Sequence, residues 1–172
     1  SFKRIESRTI ARAARSVFTT PGARELYGRR YPEHVARLQV IENGYDEGAF
    51  EDAPPASGPL NPGRVTLLHS GIIYASERDP TALFAALAQL KQAQPPIFER
   101  MMIRFRASMA EELLTSLARQ YDVSPAIELL PSLSYRDALG EMQAADGLLI
   151  LQAANCNQQI PAKIYEYLRA RR

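Results

Sequence analysis

The second half of the chain alternates short apolar runs with helical patterns, and this alternation constrains the fold more than any other feature. Apolar runs of strand length occupy residues 65–70, 101–105, 127–130 and 147–152. Helical patterns occupy residues 80–93, 108–121, 135–144 and 161–170. Strand–helix–strand units with short loops pair their strands in parallel through right-handed crossovers. The pattern therefore predicts α/β architecture, a three-layer Rossmann-like domain around one parallel sheet.

Capping signals and apolar stripes support these helices. Asp79 and Pro80 are typical of a cap followed by a first-turn proline. Ser108 and Glu111 have the spacing of a capping box, which predicts that the following helix begins near residue 108.

A proline-rich stretch, residues 52–63, separates this half from the residues before it. Prolines neither continue a helix nor donate to a sheet ladder, so the stretch is predicted to be a linker. Before it we expect a helix over 2–14, a strand over 16–20, a helix over 21–31 and a strand over 38–41. Ile5, Thr9, Ile10 and Ala13 are expected to form the buried side of the first helix.

Composition excludes several classes of protein. In a chain of 172 residues, no run approaches the roughly 18 apolar residues of a membrane-spanning helix. The first residues lack the apolar core of a secretion signal, so we expect a cytoplasmic protein. One cysteine and two histidines can supply neither a disulfide nor a zinc site. No G-x-G-x-x-G or G-x-x-x-x-G-K-S/T motif occurs, which argues against hydride transfer and P-loop chemistry.

Positive charge is concentrated at the start of the chain. The first 32 residues contain eight basic and two acidic side chains, which gives a local charge of +6 against +2 overall. Such a patch suits anionic lipid, a phosphate-bearing substrate or simple solvation. We expect no nucleic-acid partner, because no aromatic-interleaved basic motif accompanies the charge.

Ligands of parallel sheets bind outside the carboxyl ends of the strands. Gly71 follows the first strand of the sheet, and Arg78 precedes a helix start where its guanidinium could clamp a phosphate. Arg78 could equally pair with Glu77 or Asp79 in an ordinary turn.

A second candidate loop follows the last predicted strand and is rich in amide side chains, including Asn157 and Gln158. It leads into a helix with Lys163 in its first turn and Glu166 one turn later. Both could face one bound molecule, the ammonium on phosphate and the carboxylate on sugar hydroxyls. The alternative is a surface Lys–Glu ion pair.

Several segments resemble the group 1 (family 4) glycosyltransferases, which are two-domain enzymes of the GT-B fold. The matching segments are Phe18-Thr19-Thr20-Pro21, Val40-Ile41-Glu42-Asn43-Gly44-Tyr45-Asp46 with Phe50, Leu68-His69-Ser70-Gly71, Ala145-Asp146-Gly147 and Ile160-Pro161-Ala162-Lys163-Ile164-Tyr165-Glu166-Tyr167-Leu168. The resemblance implies a fragment: residues 1–51 would end the acceptor domain, 52–63 would be the linker, and 64–172 would form most of the nucleotide-sugar (donor) domain. Its sheet would lack its last strands.

The resemblance also implies roles for individual residues in a retaining sugar transfer. The donor diphosphate would lie near Arg78 and Lys163, Glu166 would hold the ribose, and backbone near Pro131 would meet the base. Gly71, Asn157 and Gln158 would complete the donor site, although Gln158 stands where the family often has a glutamate. No catalytic residue, metal or cofactor is implied.

The resemblance further implies a glycan or lipid-linked acceptor, with a peripheral membrane contact. The fragment alone is expected to lack transfer activity and to form a homodimer. Two other classes stay open: a nucleotide-sugar epimerase-like enzyme of the same fold, and a non-catalytic binding or self-association module. Binding of a nucleoside diphosphate would separate the module from the two enzymes.

Overall fold

The computed structural model describes residues 2–55 and 58–172. Its helices and strands are, in chain order, α1 Phe2–Arg12, β1 Ser16–Phe18, α2 Pro21–Arg30, β2 Leu38–Val40, α3 Glu47–Glu51, β3 Val65–Ser70, α4 Thr81–Ala93, α5 Pro95–Glu99, β4 Met101–Arg106, α6 Glu111–Gln120, β5 Ile127–Leu130, α7 Tyr135–Ala144, β6 Gly147–Leu148 and α8 Lys163–Ala170. Short 3₁₀ segments lie at Pro32–Arg37, Ser124–Ala126 and Ala154–Cys156.

The four later strands form one parallel sheet in the order β5-β4-β3-β6. The chain runs outward from β3 through β4 to β5 and then returns to the other side of β3 as β6. This reversal makes the β3–β6 boundary the topological switch point of the sheet, where ligands of open α/β sheets bind. The predicted parallel three-layer α/β fold is confirmed.

Successive strand residues point to opposite faces of the sheet, and each face has its own core. On one face Phe84 stacks on Phe105 with ring centroids 6.2 Å apart, and α4 and α6 cover the strands. On the other face Leu68 of β3 packs with Leu139 and Met142 of α7 and Tyr167 of α8. The helices therefore cover the sheet on both faces.

A buried ionic cluster lies on the second face, between β4 and α7. Arg106 donates to both carboxylate oxygens of Glu141 at 2.6 and 2.9 Å, and Arg104 donates to the same carboxylate at 3.0 Å. Arg104 also donates to Glu128 at 2.6 Å. Because Arg104, Arg106 and Glu141 are each less than 10% exposed, the pairs neutralise charges that burial would otherwise make costly.

The N-terminal helix is held by a carboxylate rather than by the predicted apolar side. Glu6 accepts hydrogen bonds from Tyr31 at 2.6 Å, Arg30 at 2.8 Å and Tyr27 at 3.1 Å. Those bonds, led by the one from Tyr31, lower the pKa of Glu6. Ile10 is buried as expected and Ala13 is half-buried, but Ile5 and Thr9 are exposed, so for those two residues the prediction is wrong. Next to α1 and α2, β1 and β2 form a separate two-stranded parallel sheet.

The segment before the proline-rich stretch folds into a short helix that the sequence patterns missed. The Asp46 side chain caps α3 by accepting from the Ala49 N–H at 3.2 Å. Phe50 is buried against the α7–α8 core, and Arg169 of α8 pairs with Glu47. Asp46 thus caps the short helix, and Phe50 and Glu47 attach it to the second face of the main sheet. The described residues of 52–63 contain no helix or strand; residues 56 and 57 lie outside the description.

Several element ends differ from prediction. The helix expected from residue 108 begins at Glu111, because Ala107 and Met109 adopt positive φ angles of 54° and 55°. Ser108 is buried, and its hydroxyl accepts from the Ala110 N–H and donates to the Glu111 carboxylate at 3.2 Å; the two predicted residues therefore meet, but Ala110 and not Ser108 is the N-cap. The last helix begins at Lys163 rather than at residue 161. A short helix that the patterns did not predict, α5, begins at Pro95, just after α4 ends at Ala93.

Candidate functional site

Strands β3 and β6 separate after the Leu68–Leu148 pair, and the separation leaves a crevice at the switch point. In a continued parallel ladder the Ser70 N–H would bond to the Leu149 carbonyl. Instead, Ser70 donates to the Tyr167 hydroxyl oxygen at 3.0 Å, and His69 Nδ1 contacts the Leu149 carbonyl at 3.0 Å. The predicted strand 147–152 is therefore a ladder only over Gly147–Leu148. The Tyr167 hydroxyl and the His69 ring therefore bind the two backbone groups that a Ser70–Leu149 ladder hydrogen bond would have joined.

A cavity of about 90 Å³ opens in this crevice. The ends of the two diverging strands and the start of α8 line it: His69, Ser70, Leu149, Ile150, Leu151, Pro161, Ala162 and Lys163, together with Arg78 and Tyr167. Two cations, Arg78 from the segment between β3 and α4 and Lys163 from the start of α8, thus line one cavity. The N-terminus of α8, whose free N–H groups favour an anion, lies at the same place.

Arg78 and Lys163, both predicted site residues, line this cavity and keep part of their donor capacity. Arg78 donates one guanidinium N–H to the Ile72 carbonyl at 2.5 Å and lies over the Tyr74 ring. The Lys163 ammonium lies 2.7 Å from Glu166 Oε2, with 38% of its side chain exposed. A guanidinium has five N–H donors and an ammonium has three, so both cations can still bind an anion.

His69 is buried in the crevice wall and is 6% exposed. Because a carbonyl oxygen only accepts, Nδ1 carries the hydrogen of the contact with Leu149, and Nε2 is left with its lone pair. Nε2 is buried with no hydrogen-bond partner among the described residues. Burial lowers the pKa of His69, and the nearby charges of Arg78 and Lys163 lower it further, against the opposing effect of the Leu149 and Gly71 backbone. The ring is therefore neutral at pH 7.

Gly71 directly follows β3 with φ +140°, a conformation that favours glycine. A Cβ atom there would meet nothing within 4 Å, so the requirement comes from the backbone and not from crowding. Its N–H donates to the Arg106 carbonyl at 2.9 Å, which ties the loop after β3 to the end of β4.

Glu166 and Pro131 lie away from the cavity lining but on the same side of the molecule. The second oxygen of Glu166 accepts from the Tyr135 hydroxyl at 3.0 Å, so this carboxylate connects α8 to the start of α7. Pro131 is exposed, and its carbonyl accepts from Arg106 at 2.8 Å. The buried ionic cluster therefore holds the loop that follows β5.

Residues 152–160, part of the segment between β6 and α8, are called the crevice loop. Its Gln152 side chain donates to the Cys156 and Gln159 carbonyls, and Asn155 donates to the Ser76 carbonyl at 3.1 Å. Asn157 and Gln158 are exposed and do not line the cavity. Gln158 lies instead against the N-terminus of α2, where its carbonyl accepts from Thr20.

A larger cavity of about 460 Å³ lies at the opposite, amino-terminal edge of the sheet, lined by Arg64, Lys91, Phe98 and others. Since parallel sheets bind ligands at their carboxyl edge, the smaller crevice is the better candidate. Among residues 2–55 and 58–172, no three His, Cys, Asp or Glu side chains gather as a metal site would require. No helix in the same ranges is long and apolar enough to cross a membrane.

Sequence reasoning gave no role to Thr20, His69 and Tyr167, although they stand in the matching segments, and it missed Arg106. One signal was available: two arginines at alternate positions of an otherwise apolar strand, Arg104 and Arg106, indicate a charged face that needs buried partners. The partners themselves lie 24 to 37 positions away and could not be identified by spacing.

Comparison with known proteins gives matches among solved structures alone. No protein-family model and no curated protein matches the chain. A glycosyltransferase from Rickettsia africae is 14% identical with a TM-score of 0.55, and the match covers 78% of this chain and 37% of that one. The pneumococcal O-GlcNAc transferase GtfA is 9% identical with a TM-score of 0.49, covering 77% and 24%.

This chain thus spans well under half of the glycosyltransferase that it resembles in structure. The sheet order, the helical layers and the Rickettsia match all agree with the resemblance found in the sequence motifs. The chain has the parallel α/β fold of part of a glycosyltransferase.

Proposed function

We propose that this chain is the donor-binding part of a retaining glycosyltransferase, and that the crevice binds the diphosphate of a nucleotide-sugar. The observation that carries the proposal is the convergence of Arg78 and Lys163 on one cavity at the switch point. A diphosphate supplies acceptor oxygens to both cations and to the α8 N-terminus. The fold shared with a glycosyltransferase supports the same reading.

The groups around the cavity suit departure of a diphosphate. In a retaining transfer the sugar gains oxocarbenium character while negative charge grows on the leaving group. Donors held in place before the reaction stabilise that charge without reorganisation. Arg78 is held by the Ile72 carbonyl, and the buried Tyr167 hydroxyl keeps its own hydrogen to donate because it accepts from Ser70.

The nucleoside would extend from the crevice across β4 toward β5. Two strand spacings amount to about 10 Å, which suits the distance from a diphosphate to a base. Along that path, Lys163 lines the cavity, Glu166 lies one helical turn on, and Tyr135 begins the helix after the loop at Pro131. This order supports phosphate, ribose and base positions at Lys163, Glu166 and the Pro131 loop.

Titration calorimetry with a nucleoside diphosphate tests the proposal. Lys163→Ala should weaken binding about 10- to 150-fold, the effect of one charge-assisted contact. Lys91→Ala is the matched control, because Lys91 is 36% exposed, also pairs with an acidic side chain, and lies at the amino edge. Equal affinity for the Lys163 and Lys91 variants would refute the site.

A second experiment, an assay of the reaction of a nucleotide-sugar, separates the three functional classes. A glycosyltransferase moves the sugar of its donor to an acceptor, whereas an epimerase would convert the nucleotide-sugar without one. A binding module would do neither. The acceptor, the membrane contact, the homodimer and the lack of transfer activity of this chain alone stay predictions.

A further inference from the structure

We propose that the N-terminus of α2 positions the crevice loop through Thr20 and Gly22, so that the ligand site is built by both halves of the chain. The inference rests on the proposed function of the crevice. It assigns a role in ligand binding to residues that lie outside the cavity and more than 130 positions before the loop they hold.

Thr20 makes the first contact. Its hydroxyl donates to the Gln158 carbonyl at 2.6 Å and accepts from the Ala23 N–H at 3.1 Å. One buried side chain, 3% exposed, therefore caps α2 and holds the outer end of the crevice loop. The capping bond fixes the hydroxyl direction, and with it the position of Gln158.

Gly22 is the second point at which the loop meets α2, because the absence of a side chain lets Gln158 approach the helix closely. A Cβ atom at residue 22 would lie 2.4 Å from Gln158 Oε1, 3.3 Å from its carbonyl oxygen and 3.4 Å from its Cα. Rotation of the Gln158 side chain could relieve the first clash, but the tight contact with the backbone carbonyl oxygen would remain and would require the loop to shift by a few tenths of an ångström. Glycine, a poor helix former, thus permits the loop to lie directly on the helix.

The crevice loop is braced internally, so a shift at Gln158 should reach the cavity. Gln152 bonds across the loop to two carbonyls, and the Ala153 N–H donates to the Glu77 carbonyl at 2.8 Å. Gln159 and Pro161 line a small cavity together with Arg78. Displacing the outer end of the loop would therefore move groups beside a cation of the proposed site.

Gly22→Ala tests the inference, with Gly28→Ala as the matched control in the same helix. A Cβ atom at residue 28 would come no nearer than 3.6 Å to Val35, which is an ordinary contact. Both variants add one methyl group to α2, but only Gly22→Ala pushes on Gln158. We expect Gly22→Ala to weaken inorganic diphosphate binding about 2- to 12-fold, the effect of one net hydrogen bond.

Hydrogen exchange gives a readout that does not depend on ligand. The amides of residues 157–159 should exchange faster in Gly22→Ala than in Gly28→Ala or the unchanged protein. Thr20→Val should act like Gly22→Ala, and Thr20→Ser, which keeps the hydroxyl, should restore protection and affinity.

Two failures are distinguishable. If the unchanged protein does not bind diphosphate, the proposed function of the crevice is wrong, while the exchange comparison still tests the role of α2. If diphosphate binds but Gly22→Ala leaves both affinity and loop exchange unchanged, the positioning role is overturned.

Discussion

Replacing Glu141 by Gln should destabilise the protein more than any single surface change, because it removes the charge from the centre of the buried ionic cluster. Glu141 accepts three hydrogen bonds, and it is the carboxylate that Arg106 contacts among the described residues. Glutamine keeps the volume and one acceptor oxygen but turns an amide donor toward the guanidinium donors. Breaking a buried pair in this way costs about 3–5 kcal/mol.

Urea or thermal unfolding measures the effect, and Glu128→Gln is the control. Among residues 2–55 and 58–172, Glu128 pairs with Arg104 alone, and its side chain is 28% exposed, so its loss should cost about 1 kcal/mol or less. For a chain of this size, 3–5 kcal/mol lowers the melting temperature by about 6–20 °C. We attribute the large loss of unfolding free energy to the burial of Glu141 and not to ion pairing in general. Equal destabilisation by the two variants would refute this explanation.

Two further predictions concern the crevice. Glu166→Gln should weaken binding of a nucleoside diphosphate but not of inorganic diphosphate, because a neutral amide is a weaker acceptor for ribose hydroxyls; equal losses for both ligands would contradict the ribose role. His69 should make stability depend on pH. Burial lowers the pKa of His69 in the folded protein below its value of about 6.5 in the unfolded chain. The contribution of the neutral ring to the free energy of unfolding is therefore complete above that unfolded value and is lost as the pH falls toward the lowered pKa. Unfolding of His69→Asn between pH 7 and 5 should therefore show a shallower loss of stability, and an unchanged slope would show that the ring does not titrate there.

Two strands have the limits that were predicted: Val65–Ser70, which lies between Arg64 and Gly71, and Ile127–Leu130, which follows a 3₁₀ turn containing Pro125 and ends before Pro131. Their ends are decided locally, by the residues on either side. The start of α6 is different: a capping-box pattern predicted residue 108, but burial of Ser108 and the left-handed backbone of Met109 delay the helix to Glu111. Tertiary packing there overrides a local signal that is weak in free energy.

The sequence by itself determined the order of elements, the parallel sheet and the edge at which the candidate cavity lies, because crossover handedness and strand polarity follow from local pattern alone. That is why Arg78 and Lys163, 85 positions apart in the chain, could be predicted to lie at one edge of the sheet from the sequence. Only the tertiary structure decided where the β3–β6 ladder opens, since Tyr167 reaches Ser70 across 97 positions of chain. It also decided that Gln158 rests on Gly22, because such contacts depend on side-chain shape and distance in space, which no periodicity in the chain encodes.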